Sequence, residues 1–144
     1  MNYPLHSAIF KHKYGLANEM ITKYRADISV LNSYGSNAMH IIFANFSKDP
    51  KNARTLSRSL VSMGLDVNLV DKNGFSPLHV AVKKEQTNAI EFALKHNKTA
   101  GKEDNWFDFD IKGKQGYTPL HLSIMRNNSQ AFKAMIDART VNFF

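Results

Sequence analysis

The 144-residue sequence predicts an all-α solenoid of about four helix-turn-helix repeats, joined by short β-hairpin-like turns. Three observations predict it. The phrase Gly74-Phe75-Ser76-Pro77-Leu78-His79-Val80-Ala81 returns as Gly116-Tyr117-Thr118-Pro119-Leu120-His121-Leu122-Ser123, in degraded form as Gly35-Ser36-Asn37-Ala38-Met39-His40-Ile41-Ile42, and without its glycine as Tyr3-Pro4-Leu5-His6-Ser7-Ala8. A second apolar run follows each phrase. Between these pairs lie glycines and polar residues suited to tight turns.

Each element has a local physical cause. Ser76 or Thr118 supplies a hydroxyl that caps orphan backbone N–H groups, and Pro4, Pro77 and Pro119 stand at the first helical position, where φ is already right and no N–H is needed. Leu followed by small or branched residues at helical spacing gives a narrow apolar stripe. Gly35, Gly74 and Gly116 permit the positive φ of the turn before each helix. The second helices fall at Ala17, Met20, Ile21 and Tyr24; at Leu56, Leu60, Val61 and Met63; at Ala89, Ile90, Phe92, Ala93 and Leu94; and at Ala131, Phe132, Met135 and Ile136. Asp27-Ile28-Ser29-Val30 and Asp66-Val67-Asn68-Leu69 are expected to leave as strand-like exits. The whole chain, 1–144, reads as one domain with repeats at about 1–32, 33–71, 72–112 and 113–144.

The phrase resembles the ankyrin repeat, with its T-P-L-H-x-A signature and period of about 33 residues. The resemblance implies that His6, His40, His79 and His121 tie neighbouring hairpins together by hydrogen bonds. It also implies a concave groove lined by hairpin tips and outward positions of the first helices. Placed on this chain, the tips are Ser33, Tyr34 and Ser36; Lys72, Asn73 and Phe75; and Lys114, Gln115 and Tyr117. The first helices add Phe10, Lys11, Ala44, Asn45, Lys83, Lys84, Met125 and Arg126. Phe75 and Tyr117 are either anchors for a partner or packing within their own hairpins. The function implied is a non-catalytic protein–protein interaction module, a scaffold or adaptor segment that binds an acidic protein partner in the groove. The alternative is a regulatory domain of a larger enzyme or channel whose catalytic or membrane part lies outside this chain.

The motif histidines at 6, 40, 79 and 121 are 34, 39 and 42 residues apart, so residues have been inserted twice. The first surplus is Asn45–Asn52, where Pro50 halts or restarts a helix. The second is the 98–110 segment, in which Trp106, Phe107 and Phe109 alternate with acids and either shield the third repeat or dock another chain. Lys48, Lys51, Arg54 and Arg58, with Trp106, make a secondary candidate patch.

The formal charge of +7 implies acidic partners or surfaces. Interleaved stacking aromatics and nucleic-acid motifs are missing, which argues against nucleic acid. The absence of cysteine excludes a disulfide framework and a thiolate site, and fits an intracellular, cytoplasmic setting with the nucleus still open. No apolar run approaches the ~18 residues of a membrane span. Equivalent histidines on helices packed about 8–10 Å apart cannot converge on one zinc ion, no hydrolase or phosphate-loop motif occurs, and Asp104, Asp108 and Asp110 lack calcium-loop spacing. No catalytic residue, cofactor or metal is therefore assigned. Both ends read as cut: the first repeat lacks its hairpin, and Val141-Asn142-Phe143-Phe144 reads as the start of another exit strand. A solenoid so ended continues in a longer chain, or meets further repeats, another domain or a second copy at its C-terminal end.

Overall fold

The computed structural model of the chain describes residues 3–99 and 105–143, with side chains described as far as residue 138. Helices alternate in short–long pairs: α1 (Pro4–Phe10) with α2 (Tyr14–Thr22), α3 (Ala38–Ala44) with α4 (Pro50–Ser62), α5 (Pro77–Lys83) with α6 (Thr87–Thr99), and α7 (Pro119–Met125) with α8 (Ser129–Phe143). The first helices stack in the order α1, α3, α5, α7 and the second in the order α2, α4, α6, α8, giving the two layers of an all-α repeat solenoid. Among the described residues there is no strand.

Local chemistry sets the helix starts. The side chains of Asn37, Ser76 and Thr118 accept the backbone N–H three residues on, while the histidine there accepts the N–H of its own cap, a reciprocal capping box in α3, α5 and α7. Tyr3, at the cap position before α1, makes no side-chain cap. Three of the four helix pairs turn in the same way. His12, Glu85 and Asn127 take φ of 60°, 56° and 54°, and the following N–H reaches back to Ala8, Ala81 and Ser123 at 2.8 Å.

The second pair departs from this turn because of its inserted residues. They form a 3-10 turn, Phe46–Lys48, and Asp49 then accepts the N–H of Asn52, so Pro50 restarts the chain as α4. Phe46 is buried edge-on to Phe43, with ring centroids 5.8 Å apart, and against Phe92 at 5.7 Å. The surplus length thus carries a core side chain.

The expected strand-like exits are corrected. Asp27 and Asp66 accept the N–H two residues on, from Ser29 at 2.9 Å and Asn68 at 3.0 Å, and the backbone bends instead of extending. Asp108 does the same for Asp110 at 2.9 Å, so 107–110 is a third such exit and not the end of an insertion. Two asparagine amides clamp it: Asn97 bonds both N–H and C=O of Phe107, and Asn68 donates to the Trp106 carbonyl and accepts from the Asp108 N–H. Phe107 is buried, stacked on Phe43 at 5.4 Å and edge-on to Phe92 and His96. Residues 100–104 of the 98–110 segment lie outside the described residues. At the C-terminus α8 continues through Phe143, so 141–143 are helical where an exit strand was expected. Phe144 lies outside the described residues.

Candidate functional site

The turns between pairs form a row of tips. Each closes on itself: the Asn32 N–H reaches the Ser36 carbonyl at 3.0 Å, Asp71 reaches Phe75 at 2.9 Å, and Gly113 reaches Tyr117 at 2.8 Å. Successive tips are joined by the Lys72 N–H to the Tyr34 carbonyl at 2.9 Å and the Lys114 N–H to the Gly74 carbonyl at 3.1 Å. The Asn32 and Asp71 side chains each accept two further N–H groups inside their tips. Gly113 has no such side chain, and its tip tightens into a 3-10 turn with Gln115 at φ 63°.

The motif histidines fasten tips to helices unequally. In His40 and His79 the Nδ1 atom accepts the cap-residue N–H at 3.1 Å, which fixes the proton on Nε2. That Nε2–H donates to a carbonyl of the next tip, Phe75 for His40 and Tyr117 for His79, each at 2.8 Å. Burial is the main reason both pKa values fall below 6.5, the tip carbonyls opposing it. The expected rung at His6 is corrected. With Tyr3 as a cap that offers nothing, both ring nitrogens of the buried His6 lack a hydrogen-bond partner among the described residues. Burial lowers its pKa too, and the nearby Val30 carbonyl offsets part of that without reaching hydrogen-bonding geometry. His121 keeps its cap, with Nδ1 accepting from the Thr118 hydroxyl at 3.0 Å, but is exposed.

Tips and first helices together border a hollow of about 540 Å³. Phe10 and Tyr34, 68% and 63% exposed, stand at it with Lys11, Asn32, Ile41 and Asn45, and His6 and His40 border it from within. Of the tip candidates, Tyr34 and the buried Ser36 both border it. Lys72, Asn73, Lys114 and Gln115 are exposed on the later tips, and Lys83, Lys84, Met125 and Arg126 are exposed at the ends of α5 and α7. Phe75 is half-buried beside His79, with the Lys83 ammonium 5.0 Å from its ring centroid. Tyr117 is half-buried, edge-on to His121. The roles of His6, Ile41 and Val80 at the hollow carry no sequence signal beyond their place in α1, α3 and α5.

The secondary patch divides. Lys48, Lys51 and Arg58 are exposed and Arg54 half-buried along the inserted turn and α4, whereas Trp106, 47% exposed, belongs to the clamped segment after α6. Among the described residues no group of histidines and acids is disposed to hold a metal ion, and no helix is long and apolar enough to cross a membrane.

Comparison with curated proteins finds no match to this chain. A family model described as ankyrin repeats (3 copies) matches residues 5–104 and 48–143. Ankyrin repeats are generally protein–protein interaction modules and typically lack catalysis. With capped short helices, tips in register and two helical layers, the chain belongs to the ankyrin-repeat family.

Proposed function

We propose that the chain binds an acidic protein segment along the face formed by its tips and first helices, with the hollow beside Phe10 and Tyr34 as the anchoring point. The observation that carries this reading is the pair of large exposed aromatics, 68% and 63% accessible, over a mostly apolar hollow edged by Lys11. Exposed aromatics beside a concavity offer large buried area at small entropic cost, the feature that concentrates binding energy in interfaces. The formal charge of +7, with Lys72, Lys83, Lys84, Lys114 and Arg126 exposed on the same tips and first helices, supports an acidic partner through steering and orientation. On this reading the chain acts by holding a partner.

Selection from a random peptide display library tests the reading. Retained peptides should be rich in Asp and Glu around a large apolar residue and should be lost when Phe10 or Tyr34 is replaced by Ala. Peptides without acidic bias, held equally well by both variants, would show the face or the chemistry to be wrong.

A further inference from the structure

The two ends of the solenoid differ from its interior in one measurable way. Ile9, Phe43, Val82 and Ile124 each stand three residues after a motif histidine. The first three are at most 1% exposed, each in a helix pair that another pair follows, while Ile124, in the last pair, is 60% exposed. Its neighbours follow: Leu78 is buried and Leu120 only half-buried, His79 is buried and His121 exposed, and on the second helices Ile90 is buried and Phe132 half-buried. The opposite end shows the complementary pattern. Pro77 and Pro119, each in a pair that follows another, are buried and Pro4 is exposed. Leu16 is 51% exposed, where Ala89 and Ala131 at the matching place in α6 and α8 are fully covered.

We infer that a second copy of this chain stacks its α1–α2 face, through Pro4 and Leu16, on the α7–α8 face at Leu120, His121, Ile124 and Phe132, continuing the solenoid head to tail. The interior supplies the template. The same slots already form the α3–α5 and α5–α7 interfaces, so the bare faces carry surfaces whose partner is another helix pair of this kind. Ile124 is a branched apolar side chain in a slot that elsewhere holds Ile, Phe or Val, and a solvent-facing cap would place a polar residue there. Such contact is heterologous, each copy using one face as donor and the other as acceptor, so it propagates instead of closing as a two-fold dimer. Both copies are strongly basic, so added salt screens their repulsion and strengthens stacking, the reverse of its effect on an acidic partner.

Sedimentation velocity with the full chain separates the possibilities. The wild-type weight-average mass should climb past two chains between micromolar and millimolar concentration, and more steeply at high salt. Ile124→Asp and Leu16→Asp should each stay at the mass of one chain, and their equimolar mixture should stop at two, joining the intact tail of one to the intact head of the other. Both positions are exposed, so melting at concentrations where wild type is a single chain should match wild type, and Ile124→Lys, read in parallel, controls for the sign of the added charge. Wild type remaining a monomer throughout, Leu16→Asp alone still pairing, or the mixture remaining monomeric would each overturn head-to-tail stacking. None of these outcomes bears on peptide binding at Phe10 and Tyr34.

Discussion

Gly74 and Lys114 touch backbone to backbone across adjacent tips. The Gly74 carbonyl accepts the Lys114 N–H at 3.1 Å, and a β-carbon added to Gly74 would lie 2.7 Å from that nitrogen and 2.9 Å from the Lys114 Cα. Gly74 also has φ of 83°. Gly64 makes a clean comparison, with φ of 86° and open space around its missing side chain. Replacing Gly64 by Ala should cost only the left-handed backbone strain, about 1–2 kcal/mol. Gly74→Ala adds a collision with backbone that cannot rotate away, and should exceed it by a further ~1–3 kcal/mol. Urea unfolding of both variants checks this, and equal losses would mean that the tips are not in contact.

Leu78 and Leu120 occupy the same phrase position but differ in burial. Leu78 is fully buried between helix pairs, and its truncation to Ala should cost about 2–5 kcal/mol. Leu120 is half-buried on the last pair, so its truncation should cost clearly less. Thermal melting followed by circular dichroism reads the difference; a larger loss at Leu120 would contradict the bare C-terminal face.

What the sequence made legible were features whose cause lies within a few residues. Helix starts at Pro77 and Pro119 were readable because cap, proline and glycine sit side by side. The third exit was readable in principle as well, since Asp108-Phe109-Asp110 repeats the pattern of Asp66-Val67-Asn68, but its aromatic neighbours disguised it as part of an insertion. Other features depend on what packs where. Phe46 and Phe107 became core because they meet Phe43 and Phe92 from distant parts of the chain. His6 lost its rung through a cap residue that cannot orient it, and the prominence of Phe10 and Tyr34 appears only once the hollow between tip and helix exists.

Asn68 is the mechanical link between the second exit and the third. Its amide donates to the Trp106 carbonyl at 2.7 Å and accepts the Asp108 N–H at 2.8 Å. Asn68→Ala leaves two backbone groups to find water, a loss of about 1–3 kcal/mol. Hydrogen exchange should show the Asp108 amide deprotected while the Phe107 amide, held by Asn97, stays slow. Unchanged exchange at Asp108 would rule out the clamp.

Acid should unfold the array through its buried imidazoles. His6, His40 and His79 all have folded pKa values below their unfolded value of 6.5, with burial the largest cause. In the window between the two values the unfolded chain binds more protons, so stability rises with pH there. The contribution is complete above pH 6.5 and is lost as pH falls from there toward the folded values. The melting temperature should therefore drop between about pH 7.5 and 5, above the range where ordinary carboxylates titrate. Exchanging His40 and His79 together for Gln should lower the melting temperature at pH 7.5 and flatten its slope with pH. A slope as steep as that of wild type would place the acid sensitivity elsewhere.

The binding face predicts a division of labour that kinetics can read on any peptide retained by the display selection. Phe10 and Tyr34 stand exposed at the hollow, so truncating either to Ala should mainly speed dissociation, by about 2 kcal/mol or roughly 30-fold in affinity if they are the anchors. Lys84 is exposed at the end of α5, so Lys84→Glu should mainly slow association and weaken its salt dependence. Lys83 is a poorer probe, because its ammonium sits over the Phe75 ring and its reversal would disturb both charge and packing. Surface binding kinetics at two salt concentrations distinguishes these effects. Binding untouched by Phe10, Tyr34 and Lys84 but abolished by Arg54→Glu would move the partner to the basic face of α4, where Lys51 and Arg58 are exposed beside the half-buried Arg54.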